Sequence, residues 1–224
     1  NRVVEKPKKQ ITLDDAYNLV TPSDSRELYA QWASTYDKTF IEDNKYVYPA
    51  KIAEVLAQHM PPDRSFRVID IGCGTGAVGE EVARIRPKSV IEGVDISPEM
   101  LAVAASKIRQ DGTHVYVNLH EADLTSTIHF ATNYYDFFVS AGTFTIGHLG
   151  ARELINAITV CKQGATIVAG VNQQHWKDTD FASTITDAVD NQIITEPQYV
   201  EVDIYAEGSP HFGDTARVVI FKKR

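Results

Sequence analysis

The segment over residues 68–77, Val-Ile-Asp-Ile-Gly-Cys-Gly-Thr-Gly-Ala, constrains the fold more than any other part of this sequence. An apolar, β-branched run leads into a glycine-rich turn, and a helical pattern follows the turn. Glycines let the backbone turn tightly and approach a ligand, and the start of a helix offers free N–H groups to an anion. The segment therefore predicts a strand, a ligand-binding turn and a helix.

Apolar runs and helical patterns alternate after the break Met-Pro-Pro-Asp at residues 60–63. Continuous apolar strands are typical of a parallel sheet that helices bury on both faces. The last two strands are joined by a link too short for a crossover helix, so we expect them to be antiparallel. The predicted strands cover 66–71, 90–95, 114–119, 135–140, 165–171, 199–205 and 216–222, and the predicted helices cover 76–86, 98–109 and 151–161.

Helical patterns also precede the break, over residues 12–20, 25–40 and 46–59. We expect them to form an N-terminal helical cap, at residues 1–62, on a ligand-binding domain at residues 63–224. The two parts should form one compact unit.

The formal net charge of -8 argues against a broad nucleic-acid surface, which needs clustered Lys and Arg, and favours a small-molecule partner. Cys73 and Cys161 are the two cysteines, far apart, so the sequence indicates neither a disulfide framework nor a metal site. No apolar run is long enough to cross a bilayer, and no signal peptide is evident at Asn1. We expect a cytoplasmic protein without a membrane partner; the pattern leaves its oligomeric state open.

Polar residues fall at the predicted carboxyl ends of four strands, where open α/β sheets bind ligands. Asp70 can face a cationic ammonium group, whereas it would repel a pyrophosphate. Asp95 can accept bonds from ribose hydroxyls, and Asp123, beside the backbone of Leu124, can accept from an adenine amine. The alternatives are a helix cap for Asp95 and an ordinary loop acid for Asp123. Ser140 ends the fourth strand.

With these motifs in this order, the chain resembles class I S-adenosylmethionine-dependent methyltransferases over nearly its whole length. The resemblance implies a Rossmann-like α/β fold, with a seven-stranded, mostly parallel sheet whose last strand is antiparallel. It also implies that S-adenosyl-L-methionine is the cofactor and S-adenosyl-L-homocysteine the product. The implied cofactor-binding residues are Asp70, Gly72, Cys73, Gly74, Gly76, Asp95, Ile96, Asp123, Leu124 and Ser140.

A closer resemblance is carried by Trp-Ala-Ser-Thr-Tyr-Asp at residues 32–37 and by Gly147-His148 after the fourth strand. Together they are similar to the Williams-Beuren-syndrome-associated methyltransferase-like proteins. That resemblance implies that Trp32 and Tyr36 contact the methionine portion of the cofactor, where an aromatic face near a sulfonium is favourable. The alternative is that both rings only pack the cap helix.

Residues on the substrate side are harder to predict. The sequence lacks the Asn/Asp-Pro-Pro-Tyr/Phe tetrapeptide that grips a planar nitrogen in many DNA, RNA and glutamine methyltransferases, and residues 140–143 stand in its place. His148 is a candidate catalytic base, or alternatively a cap for the helix after Gly150. The further substrate candidates, for each of which ordinary loop packing is the alternative, are Thr143, His175, Trp176, His211 and Phe212.

Two other functions compete with methyl transfer to an unidentified small molecule. The spacing Gly74-x-Gly76-x-x-Gly79 with Asp95 also suits an NAD-dependent oxidoreductase, although no Tyr is followed four residues later by Lys. A non-catalytic nucleoside-binding or scaffold protein can also retain this fold. The intact acids and glycines of the proposed site argue for retained cofactor binding, and we expect an enzyme.

Overall fold

A seven-stranded sheet organises the chain. The computed structural model describes Ile11, Asp15 and residues 22–224, without the side chains of residues 22–26. The sheet order is β3-β2-β1-β4-β5-β7-β6, and β7 runs antiparallel to both of its neighbours. The predicted mostly parallel sheet with an antiparallel last strand is confirmed. The strands are β1 Arg67–Ile71, β2 Val90–Asp95, β3 Tyr116–Glu121, β4 Tyr135–Phe144, β5 Cys161–Asn172, β6 Gln198–Asp203 and β7 Thr215–Lys222.

Helices cover both faces of the sheet, as predicted. On one face, Ile52 and Leu56 of α2 pack with Val68 and Val139 of the sheet. On the other, Leu154 of α5 and residues of α7 pack with strand residues such as Ile69. The helices are α1 Pro22–Trp32, α2 Tyr48–Gln58, α3 Ala77–Ile85, α4 Pro98–Ala105, α5 Ala151–Ala157, α6 Gln173–Asp178 and α7 Phe181–Asp190.

The prediction of one continuous helix over residues 25–40 is wrong. Helix α1 ends at Trp32, and a π-helical turn over Asp37–Glu42 follows it. The hydroxyl of Thr39 donates to the carbonyl of Thr35 at 2.9 Å, and such local bonds compete with regular helix.

Other element boundaries also differ from the prediction. Helix α4 ends at Ala105 rather than 109, and Cys161 begins β5 instead of ending a helix. Helix α7 lies in a region where no helix was predicted. The predicted helix at 12–20 lies outside the described residues except for Asp15. None of the described helices is both long and apolar enough to span a membrane.

Candidate active site

A cleft lies at the carboxyl ends of the parallel strands, with about 1470 Å³ of empty space that is partly open to solvent. The loops after the strands form its floor, and the segments before β1 and between β6 and β7 form its opposite wall. The floor includes residues 72–75, 95–96, 122–124, 141–146 and His148, and the wall includes Tyr29, Tyr36, Phe40, Ile41, Tyr46, Tyr48, Ile204 and Tyr205. This is the position that the strand-end residues predicted.

The glycine-rich turn after β1 presents its backbone to the cleft. Gly74 has a φ of +52°, and a side chain at this position would point into space with no atom within 4 Å. The Gly74 N–H donates to Oδ2 of Asp95 at 2.9 Å, so the turn is tied to the end of β2. Gly72 and Cys73 also line the cleft, whereas Gly76 starts α3 behind it.

Two glycines of this segment make room for a ring rather than for a ligand. A side-chain carbon at Gly76 or Gly79 would collide with the ring of Tyr116 from β3. That ring reaches under the turn, and its hydroxyl donates to Oδ2 of Asp70 at 2.6 Å. The third glycine of the dinucleotide-like spacing is therefore explained by the packing of Tyr116.

Asp95 ends β2 and lines the cleft. Its Oδ1 accepts the Ser97 N–H at 2.9 Å, while its Oδ2 accepts from Gly74. Burial raises the pKa of Asp95, and these backbone hydrogen bonds act in the opposite direction. The cap of α4 is Ser97, whose Oγ accepts the Met100 N–H at 3.2 Å. A carboxylate oxygen has two lone pairs, so Asp95 can still accept from a ligand hydroxyl.

Asp70 is buried beneath the turn and is not part of the cleft wall, in contrast to the ammonium-facing position expected from the sequence. Its Oδ2 accepts from Tyr116, and its Oδ1 has no hydrogen-bond partner among the described residues. Burial raises the pKa of Asp70 to about 7, although the Tyr116 hydrogen bond lowers it. The carboxyl group therefore titrates near neutrality inside the protein.

The remaining floor residues divide into cleft and interior positions. Ile96, Asp123 and Leu124 line the cleft, and Asp123 Oδ1 accepts the Thr125 N–H at 2.9 Å. Ser140 is buried and donates to the carbonyl of Ile71 at 2.7 Å, outside the cleft lining. Thr143 donates to the same carbonyl at 3.0 Å and does line the cleft.

Of the two aromatic residues proposed near the cofactor, Tyr36 lines the cleft and Trp32 does not. Trp32 is 2% exposed, and its Nε1 donates to Thr39 Oγ1 at 2.6 Å. Its ring centroid lies 5.1 Å from that of Tyr36 and 5.3 Å from that of Phe40. Trp32 therefore supports the wall from behind.

Asp37 is a residue to which the sequence reasoning gave no role, although it lies in the motif at residues 32–37. Its Oδ1 accepts from the hydroxyl of Thr75 in the glycine-rich turn at 2.5 Å. Its Oδ2 is 2.7 Å from Nζ of Lys107, which also binds Glu80 at 2.9 Å. These bonds join the cleft wall to the turn and to α3.

His148 lines the cleft, and its ring centroid lies 5.7 Å from that of Tyr29. Burial, and secondarily the neighbouring His175, lowers the pKa of His148 to about 4. The imidazole is therefore neutral at physiological pH, and it is a weak base. The N–H of Gly150, before α5, is held by Glu153 Oε2 at 3.0 Å.

The other substrate candidates lie outside the cleft lining. His175 Nε2 is 3.0 Å from the carbonyl oxygen of Leu149, and Trp176 packs between Phe181 and the guanidinium of Arg217. His211 packs against Tyr205, and Phe212 is 60% exposed. The described residues contain no group of three or more His, Cys, Asp or Glu side chains able to hold a metal ion.

Residues 68–164 match the family model described as a methyltransferase domain. This part of the chain is therefore similar to a methyltransferase domain. The match runs from β1 into β5 and so contains the turn, Asp95, Asp123 and His148.

Curated methyltransferases share short stretches with this chain. Trans-aconitate 2-methyltransferase of Mycobacterium tuberculosis is 49% identical over 52 residues, 23% of this chain and 20% of the relative. Malonyl-[acyl-carrier protein] O-methyltransferase of Bacillus cereus is 31% identical over 75 residues, 34% and 27% of the two chains. The chain thus spans about a quarter of the length of these two relatives.

Solved structures show the same fold at low identity. The TehB-like SAM-dependent methyltransferase from Corynebacterium glutamicum is 18% identical, with a TM-score of 0.57, over 91% of this chain and 100% of that chain. The [4+2]-cyclase SpnF is 14% identical, with a TM-score of 0.65, over 92% and 98%. The likeness concerns the fold, which supports more than one chemistry.

Proposed function

We propose that this chain is a methyltransferase that moves a methyl group from S-adenosyl-L-methionine to a small-molecule acceptor. The observation that carries the proposal is the placement of Gly74, Asp95 and Asp123 around one cleft within the methyltransferase domain. The Gly74 position leaves open space where a side chain would stand, and the two acids lie at the ends of neighbouring strands.

These residues fit a nucleoside that carries a cationic tail. Asp95 would hold the ribose hydroxyls, and Asp123 with the backbone of Leu124 would hold the adenine edge. Gly72, Cys73 and Ile96 would line the remainder. When bound, the cofactor supplies an electrophilic methyl carbon attached to a sulfonium. Once the methyl group is transferred, the sulfur remains as a neutral thioether.

The protein's contribution is position and exclusion of water. Holding an acceptor in line with the methyl group is worth roughly 7 to 11 kcal/mol relative to a bimolecular encounter. Tyr36 would place an aromatic face near the sulfonium, with Trp32 packed behind it. His148 would accept a hydrogen bond as a neutral imidazole and orient the acceptor, because a base with a pKa of about 4 retains a proton poorly near neutrality.

We also propose the closer family resemblance, the division of the chain into two parts and the cellular location. The Williams-Beuren-type resemblance rests on residues 32–37 and on Gly147-His148, of which Tyr36 and His148 line the cleft. The division into a cap at 1–62 and a domain at 63–224, and a cytoplasmic location, stay predictions from the sequence.

The test is calorimetry on the full chain with S-adenosyl-L-homocysteine and, separately, NAD. We expect S-adenosyl-L-homocysteine to bind. NAD should bind at least about a hundredfold more weakly, because Asp95 and Asp123 disfavour a pyrophosphate. Binding of NAD alone would favour the oxidoreductase alternative. A chain that binds the product but transfers no labelled methyl group to any component of a metabolite extract would be a non-catalytic binder.

A further inference from the structure

Five tyrosines line one part of the cleft: Tyr29, Tyr36, Tyr46, Tyr48 and Tyr205, here called the phenol cluster. The ring centroids of Tyr29 and Tyr36 are 5.8 Å apart, and those of Tyr46 and Tyr205 are 5.5 Å apart. Phe40 joins the two pairs, since its centroid is 4.8 Å from those of both Tyr36 and Tyr46.

The cluster lies beyond the proposed nucleoside site. Asp95 and Asp123 follow β2 and β3, at one side of the sheet, whereas Tyr46 and Tyr205 form a β-bridge next to β6 at the other side. The Tyr46 hydroxyl lies near Gly142 at the end of β4, which is the middle of the sheet. A cofactor bound along β1 to β3 would therefore leave the cluster for the acceptor.

Three other tyrosines of the cluster lie close enough to Tyr36 to influence its ionisation. Burial raises the pKa of Tyr36, and the nearby hydroxyls of Tyr29, Tyr46 and Tyr205 raise it further. The Tyr48 hydroxyl is buried against Gly170 of β5 and has no hydrogen-bond partner among the described residues. Tyr48 therefore contributes its ring rather than its hydroxyl to the cleft lining.

Among the described residues that line the cleft, the charged side chains are acidic. Among the described residues that line it, the ionisable acids are Asp95 and Asp123, and none is Lys or Arg. The faces of tyrosine rings and their phenol oxygens are also electron-rich, and they attract a cation. A carboxylate acceptor would find no Lys or Arg to pair with among the described residues that line the cleft.

We propose that the phenol cluster is the acceptor subsite of this enzyme and that it takes an amine, held over the tyrosine rings and by their hydroxyl oxygens. This inference rests on the proposed methyl transfer and names the class of acceptor. The amine enters as an ammonium and first releases a proton to water, because the cleft is partly open to solvent. The nitrogen lone pair of the neutral amine then forms the bond to the methyl carbon as the carbon–sulfur bond breaks, and the sulfur is left as a thioether. His148 lies beside Tyr29 at the edge of the cluster and accepts an N–H hydrogen bond from the neutral amine.

The test is calorimetry on the full chain saturated with S-adenosyl-L-homocysteine, using three small probes. Choline carries a quaternary ammonium, 3,3-dimethyl-1-butanol is its neutral isostere, and tricarballylate is a tricarboxylate. We expect choline to bind at least about tenfold more tightly than the isostere, because several rings contribute cation–π attraction. Tricarballylate should bind more weakly than choline.

Two variants of a half-buried member of the cluster separate ring from hydroxyl. Tyr46→Leu should lower choline affinity at least about fivefold and change the affinity of the neutral isostere less than twofold, while Tyr46→Phe should retain most of the choline preference. Tyr134→Leu, at an exposed tyrosine outside the cleft lining, is the matched control and should change neither.

The inference is overturned if the isostere or tricarballylate binds as tightly as choline, if choline does not bind, or if Tyr46→Leu leaves the preference unchanged. Binding of S-adenosyl-L-homocysteine is measured first in the same samples. Its failure contradicts the proposed function, whereas normal product binding without a choline preference contradicts the amine subsite alone.

Discussion

Asp37 accepts a hydrogen bond from the hydroxyl of Thr75 at 2.5 Å, so the cleft wall is joined directly to the glycine-rich turn. Thr75 is 1% exposed, and water cannot easily replace Asp37 as its partner. Lys107 holds the second carboxylate oxygen of Asp37 at 2.7 Å. The position of the aromatic wall therefore depends on the turn that we propose to hold the cofactor.

Replacing the Thr75 hydroxyl should weaken this connection. We expect Thr75→Val to lower the free energy of unfolding by about 1 to 3 kcal/mol, because Asp37 then loses a hydrogen-bond donor in a partly buried site. Urea denaturation of the ligand-free chain measures the change. Thr75→Ser keeps the hydroxyl and should remain closer to wild type; a loss in Thr75→Ser equal to that in Thr75→Val would contradict the hydroxyl as the main source of the stabilisation.

A side chain at Gly74 should abolish cofactor binding without unfolding the chain. Gly74→Val places a branched group in the cleft and adds backbone strain of roughly 1 to 2 kcal/mol at a positive φ. Gly112 has a φ of +84° with equally open surroundings away from the cleft, so Gly112→Val carries the same strain as a control. Calorimetry with S-adenosyl-L-homocysteine should show loss of binding in the first variant only.

Asp95→Ala should weaken S-adenosyl-L-homocysteine binding by about 1.5 to 3 kcal/mol, since a charged acceptor for the ribose hydroxyls is removed. The Gly74 N–H also loses its partner in this variant. Ser97→Ala removes the cap of α4 and should cost about 1 kcal/mol of stability while leaving the dissociation constant unchanged. An unaltered dissociation constant in Asp95→Ala would remove this residue from the proposed site.

Asp70 should make stability fall as pH rises from 5 to 8. Its pKa is about 7 in the folded chain and about 3.9 in an unfolded chain, so in this window the folded state keeps a proton that the unfolded state has lost. The stabilisation is complete below pH 4 and disappears as pH passes 7. We expect the free energy of unfolding to drop by about 2 to 3 kcal/mol more in wild type than in Asp70→Asn. Parallel urea curves at pH 5, 6, 7 and 8 measure the difference.

Residues 28–40 should exchange their amide hydrogens more slowly when S-adenosyl-L-homocysteine is bound, because the wall then closes on a ligand. Helix α2 packs into the core through Ile52 and Leu56 and should exchange equally slowly in both states. Identical protection of residues 28–40 with and without ligand would describe a rigid wall rather than a moving cap.

The sheet was predictable from sequence because buried parallel strands are continuous apolar runs, as in β1, β2 and β5. The orientation of Asp70 was not predictable. Side chains alternate between the two faces of a strand, so a shift of one residue changes the face on which Asp70 lies. Strand β1 continues to Ile71, so Asp70 points toward Tyr116 on the α3 face instead of into the cleft.

Other parts of the site depend on contacts that no local pattern encodes. Tyr46 and Tyr205 are far apart in sequence and meet only through the β-bridge between them. Helix α7 was missed because its Thr and Asp residues have low helix propensity, and packing of Phe181 and Ile185 stabilises it instead.

The space that Gly79 leaves for the Tyr116 ring links two positions that lie on different elements. Among related chains, we expect residues 79 and 116 to covary: a large ring at 116 should accompany glycine at 79, and a smaller residue should permit alanine there. Mutational scans that change Gly79 alone would displace Tyr116 from Asp70, and the resulting defect would be mistaken for loss of a phosphate contact. Combinatorial libraries for this protein should therefore vary the two positions as a pair.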